Sequence, residues 1–237
     1  SIMSSYSALR TGSGLVTIAL PKSLPITLPY PEIILGYYQD INDFKLLLKK
    51  RSIVIFGPGL GKENALNYEI LEILLTSQIP LLVDADGLFY LKKFLTKEEL
   101  LSQVIITPHL GEFAQLLDKD IDSIANINVL ENLAKQYKLT IVLKGPCTLI
   151  ANEKEICFSA SGNPGLATAG SGDVLSGIIA SLIGQGFDLM DAAKLGVYLH
   201  SQAGNLAALK YGQDSLIATD ISNYLPEALK QYQQKTS

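Results

Sequence analysis

Four short apolar runs constrain this chain more than any other feature: Ser52-Ile53-Val54-Ile55-Phe56, Leu81-Leu82-Val83, Val104-Ile105-Ile106 and Thr140-Ile141-Val142-Leu143. Each is rich in β-branched or other apolar residues and lacks the polar alternation of a strand with one wet face. They read as strands buried on both sides, as in a parallel sheet. Segments of helical character lie between them, from about Asn64 to Thr76, from Leu88 to Phe94, over a stretch ending near Leu117, and from Ser123 to Tyr137. Strand alternating with helix specifies an α/β three-layer domain, with a mainly parallel central sheet flanked by helices.

The pattern changes after residue 143. Lys144-Gly145-Pro146-Cys147 turns the chain into Thr148-Leu149-Ile150-Ala151, and Asn152-Glu153-Lys154-Glu155 turns it back into Ile156-Cys157-Phe158. These strands add an antiparallel hairpin to the sheet. Helices close the chain: one after Asp173, one from Asp188 to Lys210, and one capped by Thr219 or Asp220 that reaches about Leu229. A polar, frayed tail from Lys230 to Ser237 follows. At the other end, Ser1 to Arg10 reads as a helix stopped by Thr11-Gly12-Ser13-Gly14, and Leu15 to Leu20 as a further strand buried on both faces. Pro21, Pro25, Pro29 and Pro31 mark an irregular connection to a short strand at Ile33-Ile34-Leu35, and Phe44 to Lys50 reads as a short helix. No internal repeat or low-complexity linker divides the 237 residues, so residues 1–237 are read as one domain. The first helix is already under way at Ile2 and no initiator Met precedes it, which sets the expectation that a segment of chain comes before Ser1.

Composition narrows the class. Hydrophobic residues make up 48% and charged residues 18%, enough for a sizeable core. A net charge of −4 with no long basic run argues against nucleic acid as a partner. The apolar runs fall well short of the roughly 20 residues of a membrane span, and the first residues lack the pattern of a secretory leader. Cys147 and Cys157 make no metal pattern. Reduced thiols and a cytoplasmic location are the expectation.

The chemistry concentrates in the loops at strand ends. The richest is Gly162-Asn163-Pro164-Gly165-Leu166-Ala167-Thr168-Ala169-Gly170-Ser171-Gly172-Asp173. Behind it, Val174, Leu175, Ile178, Ile179, Leu182 and Ile183 form a helical stripe. A glycine loop feeding a helix start suits a phosphate, because the helix offers unpaired N–H groups and a partial positive charge. Asp173, at the junction, reads either as the N-cap of that helix or as a base beside the anion. Gly57-Pro58-Gly59-Leu60-Gly61 follows a strand, yet it matches neither the dinucleotide fingerprint nor a P-loop, and it reads equally as a ligand loop or a tight turn. Asp84 and Asp86 end the next strand. They could bind a cation or a ligand hydroxyl, or one could cap the following helix while the other is solvated. Thr107-Pro108-His109-Leu110-Gly111-Glu112 ends the third strand. His109 is placed for ligand contact, whereas His200, mid-helix among small residues, reads as packed. Glu112 either complements the helix dipole or orders magnesium through water.

In this order, the loops at Gly57–Gly61, Asp84-Ala85-Asp86, Thr107–Glu112, Leu143-Lys144-Gly145 with Thr148, and Gly170-Ser171-Gly172-Asp173 resemble the ADP/ATP-dependent NAD(P)H-hydrate dehydratases of the ribokinase-like superfamily. The resemblance covers nearly the whole chain. The Thr-Pro-His-x-Gly-Glu loop together with Gly-Ser-Gly-Asp is its most specific part. It implies a ribokinase-like fold and a metabolite-repair lyase. Such an enzyme phosphorylates the ring hydroxyl of hydrated NADH or NADPH at the expense of ADP or ATP, then releases phosphate to restore the cofactor.

By resemblance, Asp173 is the base, and the N–H groups of Ala169 to Gly172 stabilise the transferred phosphoryl group. Ser1, Gly59, Gly61, His109 and Asp173 contact the hydrate, and Lys144, Gly145, Pro146, Cys147, Thr148, Gly170, Ser171 and Gly172 hold the adenine nucleotide. Glu112 steadies Mg2+ through water. The resemblance also implies a homo-oligomer, a tetramer being one form, with small molecules and neither membrane nor nucleic acid as partners. It further implies that the family's first strand and part of its site lie outside this chain. Ala169, Leu110 and Gly87 depart from the family pattern, which has glycine, proline and alanine there; Ala169 bears on the anion loop if its backbone is left-handed. Two other functions stay open at this point: a kinase of a small alcohol such as a vitamin precursor, and a nucleotide-binding module without catalysis.

Overall fold

The computed structural model describes residues 1–24, 26–62, 64–95, 103–124 and 126–236. Pro25 and Ser237, read above as part of a connection and of the tail, lie outside the described residues.

The central sheet has six strands in the order β3 (Val54–Phe56), β4 (Leu81–Val83), β5 (Val104–Ile106), β6 (Thr140–Leu143), β7 (Thr148–Ala151) and β8 (Ile156–Ser159). β3 to β6 run parallel, with Val54 opposite Leu81 and Leu81 opposite Val104, while β7 and β8 are antiparallel additions. The continuous apolar runs have a direct physical cause. Leu81, Val83, Val104, Ile106, Ile141 and Leu143 point into one core, and Leu82, Ile105 and Val142 into the other. Each strand must therefore be apolar on both faces.

The first core is closed by α2 (Ile41–Leu48), α3 (Ala65–Thr76), α4 (Asp86–Leu91), α5 (Leu110–Leu117), α6 (Ile121–Ile124) and α7 (Ile127–Tyr137), through large side chains such as Phe44, Leu71, Tyr90 and Phe113. The second core is closed by α8 (Ser171–Gly184), α9 (Leu189–Tyr211) and α10 (Ala218–Thr236), which use Ala, Ser and Gly freely. Those small residues permit close approach. A Cβ on Gly177 would stand 2.1 Å from the carbonyl oxygen of Ser4 in α1 (Ile2–Arg10), and one on Gly196 of α9 would stand 2.6 Å from Ile179 Cγ1 of α8.

Four expectations need correction. The strand read at Leu15–Leu20 is β1 (Val16–Pro21), and it is not buried on both faces. Among the described residues it pairs, in parallel, with β2 (Ile33–Tyr38) alone; Ile18 is its one fully buried residue, and Leu15 before it is 76% exposed. An apolar slot of about 570 Å³ separates β1 from β3, lined by residues such as Val16, Ile18, Ile53 and Ile55. The helix read from Ser123 to Tyr137 is two helices, because the Asn126 side chain accepts the Asn128 N–H and starts α7 afresh. The last helix begins at Ala218, so Thr219 and Asp220 lie within its first turn; Asp220 reaches back to the Ile217 N–H. It also continues through Gln231, which bonds Glu227, and Tyr232, whose ring meets Tyr198, to Thr236, where a frayed tail was expected. Among the described residues, no helix is long and apolar enough to cross a membrane.

Candidate active site

Helix α8 starts differently from the sequence expectation. Its N-cap is Gly170, left-handed at φ 86°, and no side chain caps it. Asp173 is therefore not the cap. It is the third residue of the helix, and its side chain is 27% exposed at the mouth of the loop. The loop ahead of it folds on itself. Asn163 accepts the Gly165 N–H through its side chain, Pro164–Leu166 makes a 3₁₀ turn, and the Ser171 N–H donates to the Thr168 carbonyl. That bond removes Ser171 from the N–H donors expected for an anion and leaves Gly172 and Asp173 without a side-chain cap. Among the described residues, the non-glycine residues with positive φ are Lys50, Ala85, Asp118 and Lys138, so Ala169 carries no left-handed strain.

Beneath that helix start lies an ionic cluster that the sequence alone did not reveal. Asp84, 1% exposed, ends β4. Its Oδ1 lies 3.0 Å from Lys144 Nζ, at the end of β6, and its Oδ2 accepts the Ser176 hydroxyl of α8 at 2.6 Å. Lys144 Nζ is also 3.8 Å from Glu112 Oε2 and would be 3.1 Å from a Cβ on Gly172. Neither aspartate of the Asp-Ala-Asp turn follows the cap-plus-solvent reading. Ala85 between them sits at φ 49°, ψ −127°, a strained conformation for alanine, and it sends the two carboxylates in different directions. Asp86 accepts the Gly61 N–H at 2.9 Å, and Tyr90 bonds the Gly61 carbonyl. The glycine loop, with Gly59 and Gly61 both exposed and at positive φ, is thus tied to the β4 end rather than being a free turn. Gly57 is the closest contact: a Cβ there would fall 1.7 Å from the Asp84 carbonyl oxygen.

His109 and Glu112 close the start of α5 reciprocally. The His109 N–H donates to Glu112 Oε2 at 2.8 Å, and the Glu112 N–H donates to His109 Nδ1 at 3.2 Å. His109 is thereby an N-cap, a role not anticipated for it. With Nδ1 accepting, the neutral ring carries its proton on Nε2, which lies 3.6 Å from Glu112 Oε1; the side chain remains 60% exposed. The Lys144 N–H donates to the Pro108 carbonyl, which brings the His109 loop and the Lys144 loop edge to edge. Beyond Lys144, residues Gly145, Pro146 and Cys147 are exposed, and Thr148 Oγ1 approaches the Gly145 carbonyl at 3.5 Å. Ser1 meets Asp173, with its main-chain nitrogen 3.2 Å from Oδ2.

His200 of α9 is the packed histidine expected. Its Nε2 lies 3.0 Å from Ser171 Oγ and 3.1 Å from the Ser171 carbonyl oxygen, behind the helix start. Burial pushes its pKa down to about 4, against a smaller opposing effect of the Ser171 carbonyl, so the ring is neutral. Among the described residues, no cluster of three or more His, Cys, Asp and Glu is placed to hold a metal. Asp84 is already satisfied by Lys144 and Ser176, which leaves Glu112 as the carboxylate at the cluster's rim. Such a donor set fits magnesium held chiefly by water and phosphate, the usual habit of that ion.

Comparison with known proteins places this arrangement. The sequence profile of the NAD(P)H-hydrate dehydratase family matches residues 1–227. The bifunctional NAD(P)H-hydrate repair enzyme Nnr of Coxiella burnetii is 37% identical over 94% of this chain and 46% of its own length. The chain thus spans about half the length of such curated relatives. The shorter ADP-dependent (S)-NAD(P)H-hydrate dehydratase of Lactiplantibacillus plantarum is 28% identical over 98% of this chain and 84% of its own. Among solved structures, a ribokinase-like superfamily protein of Enterococcus faecalis superposes with a TM-score of 0.84 at 27% identity, covering 98% of this chain and 82% of that one. The ADP/ATP-dependent NAD(P)H-hydrate dehydratase of Bacillus subtilis, co-crystallized with ATP/Mg2+, superposes with a TM-score of 0.82 at 25% identity, covering 98% and 84%. The three layers, the mainly parallel sheet and the added hairpin are those of the ribokinase-like fold, and the chain belongs to the NAD(P)H-hydrate dehydratase family.

Proposed function

We propose that this domain restores hydrated NADH or NADPH to the intact cofactor, using ADP or ATP as phosphoryl donor. The observation that carries the reading is Asp173. It is a partly exposed carboxylate in the first turn of a helix whose start no side chain closes, with the Lys144 ammonium against Gly172 one residue before it. An anion at that helix start places a phosphoryl group beside a base. Asp173 takes the proton of the ring hydroxyl as its oxygen bonds the terminal phosphorus of the nucleotide. The bond from that phosphorus to the bridging oxygen breaks, and AMP or ADP leaves. The phosphorylated hydrate then loses phosphate and a ring proton, and the double bond of the dihydronicotinamide returns. The N–H groups of Gly172 and Asp173, with the Lys144 ammonium, offset charge on the transferred group without rearranging. Mg2+, when bound with the nucleotide, supplies further charge neutralisation, and Glu112 is the residue that would orient its water.

Following the resemblance, we assign Ser1, Gly59, Gly61 and His109 to the hydrate side, and Gly145 to Thr148 with Gly170 and Ser171 to the nucleotide side. Residues 1–237 act as one domain, in which a further extended strand in the slot between β1 and β3 would join the two sheets into one; an assembly of identical chains and a cytoplasmic location complete the reading. The test is to incubate the purified protein with NADH hydrate, Mg2+ and either ADP or ATP, and to follow the return of the reduced-nicotinamide absorbance. Return that depends on nucleotide is expected, and the better nucleotide identifies the donor. No return with either refutes the dehydratase reading, and a phosphorylated product that accumulates would identify a kinase.

A further inference from the structure

We propose that Asp84 and Ser176 are positioning residues: a strut at the end of β4 that fixes the Lys144 ammonium beneath the anion loop and so sets where a nucleotide phosphate sits. The proposal rests on the nucleotide-binding reading of that loop and extends it to two residues that touch no ligand themselves. Asp84 joins three elements, two through its carboxylate and one through its main chain. Oδ1 holds Lys144 Nζ at 3.0 Å, Oδ2 takes the Ser176 proton at 2.6 Å, and the main-chain N–H donates to the Phe56 carbonyl of β3. Ser176 Oγ also lies 3.0 Å from the Gly172 carbonyl, but its single proton goes to the nearer, charged acceptor. The strut therefore reaches from the β3 and β4 ends to the second turn of α8.

Stability alone is a poor reason for this arrangement. Burying an ammonium and a carboxylate incurs a desolvation cost that their attraction barely repays, and an apolar pair of the same size would hold the loops as well. What an apolar pair could not do is fix a cation. Lys144 has three N–H donors; Asp84 occupies one, and Glu112 at 3.8 Å lies beyond hydrogen-bond reach, so a donor remains for a ligand. The lysine side chain is 20% exposed, while the Asp84 carboxylate is 2% exposed. The acceptor that restrains the head is hidden, and the head itself reaches the surface. Gly172 fits the same account. A side chain there would stand 3.1 Å from Nζ, between the ammonium and the helix start. A free lysine on its four-carbon stem samples many positions, and a held one binds phosphate with less ordering to do.

The test separates phosphate from the rest of the nucleotide. Binding of ADP and of adenosine, each with Mg2+, is measured by calorimetry for the natural protein, Asp84→Asn, Lys144→Met and the double variant. Asp84→Asn is expected to weaken ADP about 10- to 100-fold, the cost known for losing a group that orients a metal-binding side chain, and to leave adenosine unchanged. In the double variant ADP is expected to bind no more weakly than to Lys144→Met alone, because the strut acts through that lysine. Ser176→Ala, which keeps the ion pair, is expected to show a smaller loss with the same preference for ADP, and it serves if Asp84→Asn does not fold. Unchanged or tighter ADP binding in Asp84→Asn overturns the proposal, the latter because it would mean that Asp84 merely neutralises the lysine. Equal losses of ADP and adenosine, or full additivity in the double variant, also overturn it. If the natural protein binds neither ligand, the nucleotide reading fails and the strut with it.

Discussion

Helix α5 begins with both ends of its first turn closed by its own side chains, His109 accepting from the Glu112 N–H and Glu112 from the His109 N–H. Helix α8 begins at the same edge of the sheet with a left-handed glycine and no side-chain cap. In sequence the two look alike: a loop of small or cyclic residues, then an acidic residue, then an apolar stripe. Physically they are opposites. The α5 start spends the His109 and Glu112 N–H groups on its own side chains, and those side chains present the exposed Nε2 face of His109 and the free part of Glu112. The α8 start leaves the Gly172 and Asp173 N–H groups without a side-chain cap, and a cation, a carboxylate and a buried histidine are gathered around it. The comparison explains why only one of two similar loops is assigned the anion.

The sharpest way to break this contrast is to neutralise Asp173, the proposed base, and leave the open helix start in place. Asp173→Asn keeps the size of the side chain and the uncapped turn. It is expected to lower turnover of the hydrate about 10²- to 10⁴-fold, the range of a lost general base, with ADP affinity retained in a calorimetric titration. An undiminished rate would remove Asp173 from the chemistry and leave the α8 start as a binding element alone.

A smaller effect is expected from behind the same turn. His200 supports Ser171 in its neutral form, since burial lowers its pKa from the ordinary 6.5 to about 4. The unfolded chain takes up that proton below about pH 6.5, whereas the folded one resists until about pH 4. Stability from this group is therefore complete above the unfolded value and is lost as pH falls through the window between the two. Two to three pH units at ~1.4 kcal/mol each give a loss on the order of 3 kcal/mol. Urea unfolding of the natural protein and of His200→Gln across this range measures it. The variant should show a flatter pH dependence, and identical slopes would mean that the histidine titrates normally. Helix α5 has no buried titratable partner of this kind among the described residues, so the acid sensitivity belongs to the open start.

How much of this was written in the sequence depends on the distance over which each feature is decided. Strands β3 to β6 were legible because burial on both faces leaves an uninterrupted apolar run within a few residues. The same logic misjudged β1, whose residues are just as apolar but which, among the described residues, pairs with β2 alone and flanks the slot. The break at Asn126 had a local signal, an Asn two residues before the N–H it caps, but the apolar periodicity on either side hid it. Strain at Ala85 and the left-handed Gly170 set the helix starts at Asp86 and Ser171, and neither is visible from propensity. His200 could be recognised as packed from its small neighbours alone. Asp84 could not be assigned, because what fixes its role is Lys144, 60 residues on, and Ser176, 92 residues on. No periodicity carries information across such separations.

The smallest expected effect tests whether the closed start of α5 is only a cap. Glu112→Ala removes one half of the reciprocal pair and should cost about 1 kcal/mol, the usual value of a lost helix cap. Glu112→Gln keeps an amide oxygen for the His109 N–H, so its unfolding midpoint in urea should stay at that of the natural protein. The two variants separate cap from charge. If Glu112 also orients the water of a nucleotide-bound Mg2+, the Gln variant retains stability but needs more Mg2+ for half-maximal ADP binding. If it needs no more, the carboxylate works on its own helix alone. The contrast between the α5 start, closed by its own side chains, and the α8 start, open to a ligand, would then stand.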